Sequence, residues 1–126
     1  MTDPQNAPVF LNLFRIRFPA GAVASIAHRI SGVLLFLSLP FLAWLLDLSL
    51  QGPVGYARAV ELLQPAWVRL GSALIVWSLL HHLIAGIRFL LIDIHIGVSL
   101  PVARISAWAT SMTALLLALL YAWWLL

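Results

Sequence analysis

The sequence predicts an all-α integral membrane protein with three transmembrane helices, and three observations carry that reading. Hydrophobic residues make up 63% of the 126 residues and charged residues 9%, against about half and about a quarter in soluble domains. Three apolar stretches each reach the roughly 20 residues that a helix needs to cross the hydrocarbon layer. Strict apolar–polar alternation is absent, which excludes a closed β-barrel, the other backbone arrangement that satisfies its own hydrogen bonds in lipid.

The chain reads as a single transmembrane domain over residues 1–126, with helices over about 22–48, 68–93 and 104–126. The first contains "ISGVLLFLSLPFLAWLL" and meets Asp47 at its end. Pro40 lies inside it as the kind of kink membrane helices tolerate. The second contains "LGSALIVWSLLHHLIAGIRFLLI" and the third "ISAWATSMTALLLALLYAWWLL". In the first connection, Gly52, Pro53 and Gly55 mark a turn. "YARAVELLQ" after it reads as a short surface helix over about 55–64, stopped by Pro65. "DIHIGVSLPVAR" makes a compact second connection.

All seven basic residues are arginines. Arg15, Arg17 and Arg29 lie on the N-terminal side, and Arg88 and Arg104 on the side of the second connection, against Arg58 and Arg69 in the first connection. Five against two puts the N-terminus and the second connection in the cytoplasm. Trp67, Trp123 and Trp124 then fall at the opposite interface, where aromatic belts form. The net charge of +3 is scattered, which argues for membrane lipid and against nucleic acid as its partner. Cysteine is absent, so disulfides, thiolate metal sites and thioether haem attachment are excluded, while a haem held by histidine is not. Residues 1–20, with Asp3, three prolines and two arginines, lack the apolar core of a cleaved leader. The expectation is a retained N-terminus in a bacterial inner membrane.

The informative residues are polar ones placed in an apolar solvent. An ionisable side chain at the centre of a bilayer costs about 2.5–3.5 kcal/mol on insertion scales, so it normally faces a partner, a cavity or a cofactor. In the second helix, His82, Gly86 and Phe89 share a stripe that Asp93 extends, and His81, Ala85 and Arg88 form the adjacent one. At 3.6 residues per turn the two imidazoles point about 100° apart, so they do not ligate one ion together. His82 leads, because Gly86 one turn away would let a bulky flat group approach the backbone, and imidazole is an axial ligand of haem iron. The alternative is that Gly86 serves helix contact and His82 bonds a neighbouring helix. His81 reads as a packing residue.

In the first helix, "SIAHRISG" sets Ser25, His28, Arg29 and Gly32 at i, i+3, i+4 and i+7. With the N-terminus inside, this cluster shares a leaflet with His82 and Arg88. A haem has an apolar ring and two carboxylates, so a membrane histidine with arginines nearer the headgroups suits it. Arg29 and Arg88 are equally suited to reach lipid phosphates. Ser25 and Arg29 beside apolar surface suit a quinone, whose oxygens need donors. Ser25 also reads as a helix N-cap.

"SIAHRISG" followed by "HHLIAGIRFLLID" resembles the cytochrome b membrane-anchor subunit (the C subunit) of succinate dehydrogenase. That family's pattern is close to S-I-x-H-R-x-[ST]-G and then H-x-x-x-G-x-R-H-x-x-x-D. "LNLFRIRFPAGAVAS" also looks like the family's lead into its first helix, so the resemblance spans essentially the whole chain. It implies that His82 is the axial ligand of one haem b and that Ser25 and Arg29 belong to the quinone site. It implies further that His28 and Arg29 lie near the haem propionates, and that Asp93 closes the second motif. Phe89 departs from the pattern, which often has histidine there, and His95 lies beyond the helix.

By the same resemblance, this chain packs with a second three-helix cytochrome b anchor subunit that supplies the other axial ligand. An iron–sulfur subunit and a flavoprotein subunit complete the complex. The chain would carry no catalytic residues of its own and would help pass electrons from succinate oxidation to quinone. A fumarate reductase anchor, or another quinone-linked cytochrome b, needs the same residues. A haem-free helical assembly or transport subunit is the reading from a different class.

Overall fold

The computed structural model describes residues 18–125. The chain runs through α1 (Ala20–Ser49), α2 (Gly52–Leu62), α3 (Ala66–Asp93) and α4 (Leu100–Leu125). The protein is an all-helical, multi-pass membrane protein in which α1, α3 and α4 are long and apolar enough to span. Each span satisfies its backbone internally, as lipid demands. α2 is an 11-residue helix at the end where α1 finishes and α3 begins. Arg15 and Arg17, two of the five arginines behind the expected orientation, lie outside the described residues.

Prolines set the helix starts. Pro19 is the N-cap of α1, and its carbonyl accepts from the backbone N–H groups of Ala22 and Val23 at 2.9 and 3.2 Å. Ser25 therefore lies inside α1 and is not its N-cap. Pro65 starts α3 in the same way, accepting from Val68 and Arg69 at 2.9 and 3.1 Å. α4 begins four residues earlier than hydropathy suggests, because Pro101 falls in its first turn, where a missing N–H costs nothing. α2 starts at Gly52, whose φ of +87° needs glycine. α1 continues through Pro40 to Ser49.

The end of α3 is a Schellman turn. His95 N–H donates to the Ile92 carbonyl and Ile96 N–H to the Leu91 carbonyl, both at 2.9 Å. His95 takes a φ of +65°, a left-handed conformation that a non-glycine residue adopts at some cost.

α3 is the central element and packs against both α1 and α4. Apart from His81 and Arg88, the seams are built from small residues, as in membrane helices that gain stability from close backbone approach and not from the hydrophobic effect. α1 buries Ala24, Ser31 and Ser38 at seven-residue spacing, α3 buries Ser78, His81, Ala85 and Arg88, and α4 buries Ala107, Thr110, Ala114 and Ala118. Ser38 and Ser78 dispose of their hydroxyls by donating to Leu35 O at 2.7 Å and Leu74 O at 2.8 Å. Trp67, Trp123 and Trp124 are exposed at the α2 end. There Arg69 ties the helix ends, donating to the Leu125 carbonyl at 3.0 Å and the Gln64 side chain at 2.6 Å. α1 is the least covered of the three spans.

Candidate functional site

The polar residues of the first and second spans meet where α1 crosses α3. The imidazoles of His28 and His82 stack, with ring centroids 4.0 Å apart and planes 11° from parallel. His82 Nδ1 lies 3.1 Å from the backbone carbonyl of His28. A carbonyl oxygen only accepts, so Nδ1 carries the proton and donates. Ser31 Oγ donates to the same carbonyl at 2.8 Å and lies 3.3 Å from His82 Nδ1. The Nε2 atom of His82 has no hydrogen-bond partner among the described residues, and its lone pair is free.

Two glycines shape this crossing, and the tighter is not the one singled out by spacing. A Cβ on Gly32 would fall 2.9 Å from His82 Cε1 and 3.3 Å from Nδ1. The α1 backbone at Gly32 is thus the seat of the His82 ring. A Cβ on Gly86 would meet His28 Nε2 at 3.6 Å, an ordinary contact. An alanine would therefore fit at Gly86 beside His28.

Phe89 turns its edge to His28, with centroids 5.3 Å apart, and lies 5.4 Å from the guanidinium carbon of Arg88. Arg88 neither reaches toward lipid phosphate nor flanks His82. It is 8% exposed, and its Nε and Nη2 donate at 2.9 Å to Ser106 Oγ and the Ala103 carbonyl of α4. The reason is steric and electrostatic: the residue sits on the α4-facing stripe of α3, where a planar fork of donors finds two acceptors. His81 is on that stripe too, buried beside Trp77, with Nε2 3.5 Å from Ser111 Oγ and no partner for Nδ1 among the described residues.

Ser25 and Arg29 lie on the flank of α1. Arg29 is exposed and its Nη2 donates to Ser25 Oγ at 3.3 Å. Asp93 is the exposed last residue of α3, and His95 is exposed just beyond it.

The donor set fits a haem better than a bare metal ion. Among the described residues no three His, Asp or Glu side chains gather as a metal site. A porphyrin supplies four of the iron's ligands itself, so one free imidazole nitrogen per face suffices. His82 offers such a nitrogen, half-buried in the membrane and held by its other edge, as ligating histidines are. A cavity of about 560 Å³ lined by Gln64, Arg69, Ser72 and Tyr121 lies at the α2 end, and one of about 320 Å³ lies against Arg88 and Ser106. His28 and His82 line neither cavity, and both are half-buried.

Fold and site together define a three-span helical membrane subunit with an oriented imidazole in its first seam. The pattern that describes succinate dehydrogenase/fumarate reductase transmembrane subunits matches residues 3–121, and the chain belongs to that family. It is similar to the succinate dehydrogenase cytochrome b556 subunit of Coxiella burnetii, 37% identical over 120 residues that cover 92% of this chain and 96% of that one. The subunit of the same name from Paracoccus denitrificans is 30% identical over 118 residues, covering 91% and 88%. That from Rickettsia felis is 27% identical over 110 residues, covering 87% and 84%.

Proposed function

We propose that this chain is a non-catalytic membrane anchor of a succinate dehydrogenase that holds one haem b through His82 Nε2 and helps form the quinone-reduction site. The observation that carries this reading is the bond from His82 Nδ1 to the His28 carbonyl, which commits one ring nitrogen and leaves the other as an electron-pair donor. Bound there, a haem supplies reversible one-electron chemistry at its iron. The chain's residues supply position and electrostatics. His28 and Arg29 are the residues that would answer the acidic propionates. The Ser25 hydroxyl and the Arg29 guanidinium offer donors to a quinone oxygen, where negative charge develops on reduction.

The remaining parts come from other chains. A second cytochrome b anchor subunit covers the open face of α1 and gives the other axial ligand. An iron–sulfur subunit delivers electrons, and a flavoprotein subunit oxidises succinate. The family takes in fumarate reductases, but the relatives named above favour the succinate direction. The arginine bias supports a cytoplasmic N-terminus in a bacterial inner membrane.

The experiment is purification of the intact complex through a tag on this chain, followed by a reduced-minus-oxidised spectrum and a succinate-driven quinone reduction assay. Haem b bands with activity are expected. A complex without haem bands contradicts the cytochrome assignment. A haem-bearing complex inert to succinate contradicts the dehydrogenase assignment.

A further inference from the structure

We infer that Ser31 is a positioning residue for the His82 ligand, its buried hydroxyl accepting from the ring's Nδ1–H beside the His28 carbonyl and raising the ring's electron-donating strength. The inference rests on the reading of His82 as a haem ligand. Three serines are fully or almost fully buried among the described residues: Ser31, Ser38 and Ser78. Ser38 and Ser78 each make only the bond back to a carbonyl of their own helix. Ser31 makes that bond too, to His28 O, and alone of the three adds an approach to a side chain of another helix, His82 Nδ1 at 3.3 Å.

The proton inventory is closed. The Ser31 hydroxyl proton goes to the His28 carbonyl, so an Oγ lone pair is left to face Nδ1–H. The Nδ1–H is shared between two acceptors, His28 O and Ser31 Oγ, that are themselves hydrogen-bonded to each other. Such coupled bonds polarise one another. Acceptors on the far nitrogen of a ligating imidazole raise its basicity, and a more basic ligand favours ferric over ferrous iron. Gly32, the next residue, brings the ring close enough for this contact. Removing the Ser31 hydroxyl takes away one acceptor and weakens the ligand.

The test is potentiometric titration of the haem in the purified complex for wild type, Ser31→Ala, Ser31→Thr and Ser38→Ala. The expected result is an upward shift of the midpoint potential in Ser31→Ala, a wild-type value in Ser31→Thr, which keeps a hydroxyl, and a wild-type value in Ser38→Ala, which loses only a bond within its helix. If Ser31→Ala fails to assemble, Ser31→Cys, with a weak sulfur acceptor, is read in its place and should shift the same way. A midpoint in the hydroxyl-free variant equal to or below that of wild type overturns the inference while leaving His82 as ligand. Haem bands absent from wild type overturn the underlying reading as well.

Discussion

The imidazole of His28 lies flat against that of His82, 4.0 Å away and 11° from parallel, so the residue that offers its backbone carbonyl to His82 also covers one face of its ring. The stack limits His82 to rotation within its own plane, and the Nδ1 bond stops that rotation. A ring held in this way keeps Nε2 aimed in one direction, which lowers the entropy lost on binding a flat cofactor. Aromatic pairs of this kind contribute about 0.5–1.5 kcal/mol beyond their buried area. His28→Ala is therefore expected to weaken haem retention several-fold, and His28→Phe to restore most of it. Haem-to-protein ratio after detergent washing is the measurement.

The two glycines of the crossing separate by distance. Gly32→Ala drives a methyl to within 2.9 Å of His82 Cε1, and the ring has nowhere to go between His28 and its carbonyl bond. Overpacking of this sort costs about 1–3 kcal/mol, and haem content should fall with it. Gly86→Ala meets only His28 Nε2 at 3.6 Å and adds helix propensity. It should assemble with wild-type haem content. Haem assays on the two variants side by side check the contrast.

Arg88 bonds α3 to α4 through two donors at 2.9 Å. Hydrogen bonds to a charged group contribute about 1.5–3 kcal/mol each, and losing them leaves acceptors behind. Arg88→Ala should lower the stability of the detergent-solubilised subunit by about 2–4 kcal/mol. Arg88→Lys, a point charge without the planar fork, should recover only part of it. A thermal melt followed by helical circular dichroism reads the difference.

Arg29 lies about 100° around α1 from His28 at the turn of an α-helix, on the exposed flank, bonded to Ser25 at 3.3 Å. It is thus separable from the His82 seam. Arg29→Ala should cut succinate-driven quinone reduction by about 10²-fold, the scale for loss of one donor aimed at developing charge. Succinate oxidation with a soluble dye acceptor, which bypasses the membrane site, should change little. Unchanged quinone reduction would remove Arg29 from that site.

Hydropathy made the three spans legible, because in lipid it alone decides which segments cross. The ends were less so. Pro65 reads as the stop of the surface helix and Pro101 as a loop residue, yet one starts α3 and the other sits in the first turn of α4. The stripe of Ser25, His28, Arg29 and Gly32 was readable from spacing, but it subtends about 100° of the helix. Spacing cannot say that His28 and Gly32 face α3 while Arg29 turns outward. Ser31 escaped for the same reason: it is off the stripe, and only the crossing of α1 and α3 brings it to His82. One signal was present, the seven-residue recurrence of small residues at Ala24, Ser31 and Ser38, which marks a helix seam. Arg88 was misjudged because a lone arginine near a helix end suits headgroups, and the two acceptors that capture it lie on another helix.

The central claim is that one imidazole, His82, is an axial ligand of haem. The direct measurement is the reduced-minus-oxidised visible spectrum of the purified complex carrying His82→Ala, beside one carrying His81→Leu. The two residues adjoin in sequence but face different seams, His82 toward α1 and His81 toward α4. Loss of the b-type Soret and alpha bands in the first variant, with retention in the second, is the expected result. Bands that persist without His82, or vanish only without His81, would contradict the account.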